Sequence, residues 1–186
     1  MKKLTVLLVT FISALSLSAA PLARHVDRLP SGPEITEADV AAAQKMWGDA
    51  VVAIGAAGDQ AHKVAEDAAR RAYAFDHGQI QFKPTLASEQ PFRSDLEGTL
   101  SYFVAGNKKY PEDKGFALKP WTKVRFENDV VFFDGNLAIA MGHYFFTDTN
   151  GKETKVEYTK GYVKLSDGTV RIFLQDSSLP YQPPAK

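Results

Sequence analysis

Three short turns constrain this chain more than any other feature of its sequence. Asp134-Gly135, Asp148-Thr149-Asn150-Gly151 and Ser166-Asp167-Gly168 each combine small polar residues with a glycine. That combination supplies the left-handed backbone a hairpin needs. The turns separate four runs of strand length: Trp121 to Phe133, Leu137 to Thr147, Lys155 to Leu165 and Thr169 to Ser177. Tight turns leave no chain for crossovers, so the runs must follow one another as an antiparallel meander. A meander buries one face only if another layer covers it, and the residues before Trp121 supply that layer.

Thr36-Glu37-Ala38-Asp39 reads as a capping box, with Ile35 and Val40 at the staple positions. Val40, Ala43, Trp47, Val51 and Ile54 recur at helical spacing, which predicts a first helix ending near Gly55 to Gly58. A second helix is predicted from Gln60 to Phe75. Its face of Ala61, Ala65, Ala68, Ala72 and Phe75 suits close packing, and Asp76-His77-Gly78 stops it. Gln79 to Lys83 alternates like a short strand that Pro84 places at an edge or ends. Ser94-Asp95-Leu96-Glu97 reads as a second capping box. It opens a third helix, with Leu96, Leu100, Phe103 and Val104 on one face and Gly106 at its end. The expected fold class is α+β, with three N-terminal helices packed on a bent antiparallel sheet. That sheet comprises the four-strand meander and a short edge strand, all within residues 35–181.

Ahead of this domain, Met1-Lys2-Lys3, an apolar run from Leu4 to Leu17 and small residues at Ser18 to Ala20 form the three parts of a secretory signal peptide. The run is shorter than the roughly 20 residues a bilayer span needs. Residues 1–20 are therefore expected to be removed, with the cut between Ser18 and Ala23. Residues 21–34 read as a linker and 182–186 as a tail. A periplasmic or secreted protein without a stable membrane anchor is expected. The chain has no Cys, which excludes disulfides, Cys lipidation and thiolate zinc sites. A formal net charge of zero gives no electrostatic footprint for nucleic acid. His25, His62, His77 and His143 scatter without ligand spacing, and no phosphate loop, dinucleotide fingerprint or nucleophile elbow occurs. No metal site and no cofactor are expected.

The order of elements resembles the cone-shaped fold of nuclear transport factor 2 and its SnoaL-like relatives. Residues Tyr73 to Phe82 and Phe92 to Phe103 resemble the helix, short strand and helix of the association domain of calcium/calmodulin-dependent protein kinase II and its bacterial relatives. A stronger match lies at the end. It comprises Gly142-His143-Tyr144-Phe145-Phe146-Thr147, Val156-Glu157-Tyr158-Thr159-Lys160-Gly161-Tyr162 and Ser177-Ser178-Leu179-Pro180-Tyr181. The resemblance implies a cone-shaped pocket and dimers formed through the sheet. Relatives usually carry His just before the Ser-Ser pair, where this chain has Gln175 and Asp176. Where the kinase domain places pocket arginines, this chain has His143 and Lys160.

His143 is a candidate pocket base or anion ligand, against the plainer reading of a hydrogen-bonded structural His. Asp176 is a candidate proton-transfer group, because an Asp in an apolar cone has a raised pKa. Relatives of this fold that act as isomerases, dehydratases or hydrolases use such an Asp. Alternation lets only one of Gln175 and Asp176 point inward. Arg93, beside the third helix's cap, is a candidate anion ligand. Trp47, Tyr73, Phe82 and Trp121 are candidate pocket walls, with core filling as the alternative. Tyr158, Lys160 and Gln175 complete the candidate pocket.

The leading expectation is a non-catalytic, self-associating module that binds a small ligand or drives assembly as a homodimer. Phe126, Val131, Phe133, Phe145 and Tyr162 would lie on an apolar outer sheet face. The alternative is a cofactor-independent acid/base enzyme. A factor recruiting a partner protein is a third class. Some similar chains carry the label phosphoribosyl-AMP cyclohydrolase, but that reaction relies on a zinc site with Cys ligands, which this chain lacks.

Overall fold

The computed structural model describes residues 28–184. The expected signal peptide and its cleavage region lie outside them. The chain forms α1 (Glu37–Ala56), α2 (Ala61–Ala72), β1 (Gln81–Lys83), α3 (Leu96–Val104), β2 (Trp121–Asp134), β3 (Leu137–Asp148), β4 (Glu153–Lys164) and β5 (Val170–Ser178). The helices cover one face of a five-stranded sheet in the order β1-β5-β4-β3-β2. The meander forms as its turns dictate, with Gly135, Gly151 and Gly168 all at positive φ.

Local chemistry accounts for most boundaries. Thr36 Oγ1 accepts from the backbone of Asp39, and the Asp39 carboxylate accepts from the backbone of Thr36. Lys164 donates to that carboxylate at 2.7 Å, and with Thr36 it holds the Asp39 pKa down to about 2. The third helix is capped by Asp95, which accepts from Gly98 N at 2.8 Å, one residue later than a Ser94 cap. The Ser94 carbonyl instead accepts from Ile80 N at 3.1 Å. The second helix ends at Ala72 because Tyr73 turns extended and bridges Ile172 of β5.

Two expectations about the sheet are corrected. First, it is mixed: β1 runs parallel to β5, with Phe82 opposite Gln175. The chain leaving α2 already lies along β5 and continues in the same direction. Second, the expected outer face is wrong in part, and within β2 a register shift between Asn128 and Val130 reverses the inside-outside parity. Phe126 and Val131 pack against the core, and Tyr162 is buried. The exposed apolar residues are instead Val130 and Phe132, opposite Met141 and Ile139. Phe133 is also exposed, and Phe145 lies under the Arg125 guanidinium. Gly142 makes the bulge possible, since a Cβ there would sit 2.1 Å from the Glu127 carbonyl oxygen.

Trp47 of α1 occupies the centre of the cone. It stacks on Tyr144 and meets Phe103, Phe126 and Phe146 edge to face. Leu29 and Pro30 pack against the domain: Leu29 joins Val163 and Leu165, and the Pro30 carbonyl accepts from Asn136. Among the described residues no helix is long and apolar enough to cross a membrane.

Candidate functional site

A cavity of about 540 Å3 opens beside the cone. The segment after β1 brings Thr85 and Leu86 to it, α3 brings Tyr102, and the loop before β2 brings Phe116 and Leu118. Trp121 and Val156 close it from the sheet. The walls are mostly apolar, and exposed Leu86, Leu118 and Leu179 ring the mouth. A broader depression between α2 and α3, near His62 and Lys108, is shallow and presents no unpartnered buried polar atom.

Buried hydroxyls gather behind Thr85 and Tyr102 of this cavity. The Tyr102 hydroxyl has no hydrogen-bond partner among the described residues. Thr85 and the Leu86 backbone lie close enough to act on its pKa. The Tyr144 hydroxyl pairs with Ser177 Oγ, with Thr85 and Gln175 alongside. Gln175 Oε1 accepts from Tyr73 at 2.7 Å, and the Tyr73 hydroxyl accepts from Trp47 Nε1 at 2.9 Å. Strand alternation explains the set, because Gln175 and Ser177 point inward together. Burial pushes the Tyr144 pKa up to about 12 and raises those of Tyr73 and Tyr102 further. These groups are therefore neutral donors and acceptors near neutral pH.

Behind them lies Lys160, wholly buried, with no partner for its amine among the described residues. Its Nζ sits 3.5 Å from the centre of the Trp47 ring and also faces Phe126 and Tyr144. Desolvation holds its pKa well below the ordinary lysine value. Tyr158 completes this floor, accepting from Gln44 at 3.1 Å and donating to Asn128. Phe82 packs between Tyr73 and Phe103.

The structure thus brings Trp47, Tyr73, Phe82, Tyr158, Lys160 and Gln175 together, but as a packed floor. Three candidates lie elsewhere. His143 alternates with inward Tyr144 and so faces outward, between Glu127 and Glu157 on the neighbouring strands. Asp176 alternates with Gln175 and also points outward. Its side chain is 61% exposed and pairs with Lys83 at 3.0 Å. A His143–Asp176 proton relay inside the cone is therefore excluded by strand parity. Arg93 does not wait at a helix start for an anion; it is buried and paired with Asp113 and Glu112. Sequence reasoning missed Thr85, Tyr102, Tyr144 and Ser177 as site residues. Alternation from Gln175 could have found Ser177, and no short-range signal points to Thr85 or Tyr102.

Comparison with known proteins adds the chemistry. Residues 38–179 match the family model for metal-independent carbonic anhydrase. A metal-independent carbonic anhydrase from Nostoc sp. strain PCC 7120 is 46% identical over 154 residues, covering 80% of this chain and 75% of the relative. The crystal structure of a cyanobacterial iota-carbonic anhydrase complexed with bicarbonate superposes with a TM-score of 0.79 at 44% identity. It covers 84% of this chain and 99% of the other. A Xanthomonas campestris chain assigned as a calcium/calmodulin-dependent protein kinase II association domain superposes at 0.52 with 26% identity, covering 87% and 100%. The kinship to association domains therefore holds for the fold. The expectation of a non-catalytic association module is overturned by the family match, since the family and the relatives found are named as carbonic anhydrases. The chain belongs to the metal-independent carbonic anhydrase family.

Proposed function

We propose that this chain catalyses the reversible hydration of carbon dioxide to bicarbonate without a metal ion, at the hydroxyl cluster of Thr85, Tyr102, Tyr144 and Ser177. The observation that carries this reading is the unpartnered, buried Tyr102 hydroxyl at the wall of an apolar cavity. Carbon dioxide is apolar and enters such a cavity readily, whereas the attacking water needs polar partners. Thr85 and Ser177 can accept from that water and orient it. Tyr102, kept protonated by burial, can donate to the oxygen on which negative charge grows. Donors already in place for that charge lower the barrier without reorganising. A hydroxyl relays a proton only as it passes one on, so the cluster serves as a conduit and the proton leaves to solvent. The cyanobacterial relative complexed with bicarbonate supports a family site that takes that product. Among the described residues, no group of three or more His, Cys, Asp or Glu is arranged to hold a metal. The test is stopped-flow carbon dioxide hydration on protein dialysed exhaustively against a chelator. Full retention of activity is expected; loss restored by a divalent cation would overturn the reading.

We further propose that two copies pair through the outer sheet face, where Val130, Phe132, Ile139 and Met141 form an exposed apolar patch. Light scattering should give a dimer at micromolar concentration, and Phe132→Glu should give a monomer of unchanged fold. A wild-type monomer under those conditions would sink this proposal. Export remains our proposal from the sequence of the first residues. N-terminal sequencing of protein recovered from the periplasm or medium should begin between residues 19 and 24; an intact Met1 would refute it.

A further inference from the structure

Two side chains that line the cavity, Thr85 and Tyr102, trace to one charged cluster, of which Glu112 and Asp113 also line its wall. The segment from Pro84 to Phe92, which carries Thr85, lies outside the strands and helices. Its backbone N–H groups at Ser88, Glu89 and Gln90 all donate to the Glu112 carboxylate, at 2.6, 3.0 and 2.9 Å. The Ser88 hydroxyl adds a fourth donor at 3.0 Å. Arg93 Nη2 reaches Glu112 at 3.3 Å and Asp113 at 2.9 Å. Asp113 in turn accepts from Ser101 at 2.6 Å, immediately before Tyr102 on α3. The Arg93 side chain is wholly buried, and its guanidinium lies 4.0 Å from the centre of the Tyr110 ring.

We infer that Glu112 is a positioning residue: through the buried Arg93–Asp113–Ser101 chain, it holds the Thr85 segment in register with Tyr102. This inference rests on the function proposed above. The physical reason is that no sheet or helix ladder fixes the spacing between Thr85 and Tyr102. A carboxylate taking three backbone donors does so at charge-assisted strength. The same donors hold the Glu112 pKa down to about 2, so the clamp stays charged at any working pH. Sub-ångström placement matters because small displacements of reacting groups are costly in rate.

The test uses the full chain, with Glu112→Gln, Glu112→Asp and Ser101→Ala variants. Glu112→Gln keeps the side chain's shape but loses acceptor capacity. Its kcat for carbon dioxide hydration should fall by about tenfold or more with KM within about twofold. Amide exchange at Ser88 to Gln90 should quicken while β3 and β4 stay protected. Glu112→Asp should recover part of kcat, and Ser101→Ala should lower kcat from the Tyr102 side. Unchanged kcat in Glu112→Gln, or loss of protection throughout the sheet, would overturn the inference. A wild-type chain without carbon dioxide hydration would overturn the proposed function instead, and the exchange measurement would still read the clamp.

Discussion

Replacing Tyr102 with Phe should lower kcat for carbon dioxide hydration by about 100-fold, the size of effect seen when one preorganised donor is removed. The same change should leave the protein as stable or more so. Tyr102 buries its hydroxyl without a partner, and such a group costs about 1–3 kcal/mol. Phe keeps the ring stacked on Phe116 and removes that cost. Activity lost while stability rises is a signature that general damage to the fold cannot produce. Ser177→Ala should lose activity as well, but with a loss of stability, because it strips the Tyr144 hydroxyl of its partner. Asp176→Asn and His143→Gln, both on the outer face, should keep activity within about twofold and stability within about 0.5 kcal/mol, as for surface changes generally. Stopped-flow assays with thermal melts read all four variants. An Asp176→Asn variant as inactive as Tyr102→Phe would move the site to the outer face.

Lys160→Met should flatten the alkaline stability profile and stabilise the protein at neutral pH. Burial lowers the folded-state pKa of Lys160 well below its ordinary value of 10.5. Between that lowered value and 10.5, the unfolded chain holds a proton on this amine that the native chain does not. Stability of the wild type therefore rises with pH across that window, with a slope approaching about 1.4 kcal/mol per pH unit from this group. Below the window both states are protonated and the slope vanishes; above it neither is. Met has similar length and no charge, so the variant lacks the slope and the penalty that goes with it. Urea denaturation between pH 7 and 10 measures both curves. Parallel curves would show that the amine stays charged against the Trp47 ring face.

The parts of the fold legible in the sequence are those set by short-range chemistry. The Thr36–Asp39 box and the three glycine turns act within a few residues, and α1 and the meander follow from them. What sequence reasoning missed depends on partners far along the chain. The cap of α3 falls on Asp95 because Ile80 uses the carbonyl of Ser94. The inside-outside pattern of β2 reverses at Asn128, a shift that Gly142 on the neighbouring strand permits. The site divides along the same line. Gln175 and Ser177 share a face that alternation specifies, whereas Thr85 and Tyr102 meet through a segment clamped by Glu112 from more than twenty residues away. The functional reading went wrong where it leaned on kinship of fold, because one fold hosts both scaffolds and enzymes.

The size of the cavity carries a further consequence. At about 540 Å3 it lies within the roughly 300–1,000 Å3 range of sites that enclose drug-sized molecules, yet the proposed substrate has three atoms. Steric fit cannot then be what selects carbon dioxide; the neutral hydroxyls must. It also leaves space for an inhibitor to engage Tyr102 at one end and the Leu118 and Leu179 rim at the other. Such a compound would need no zinc-binding group, and that would separate it from inhibitors built to coordinate a catalytic metal.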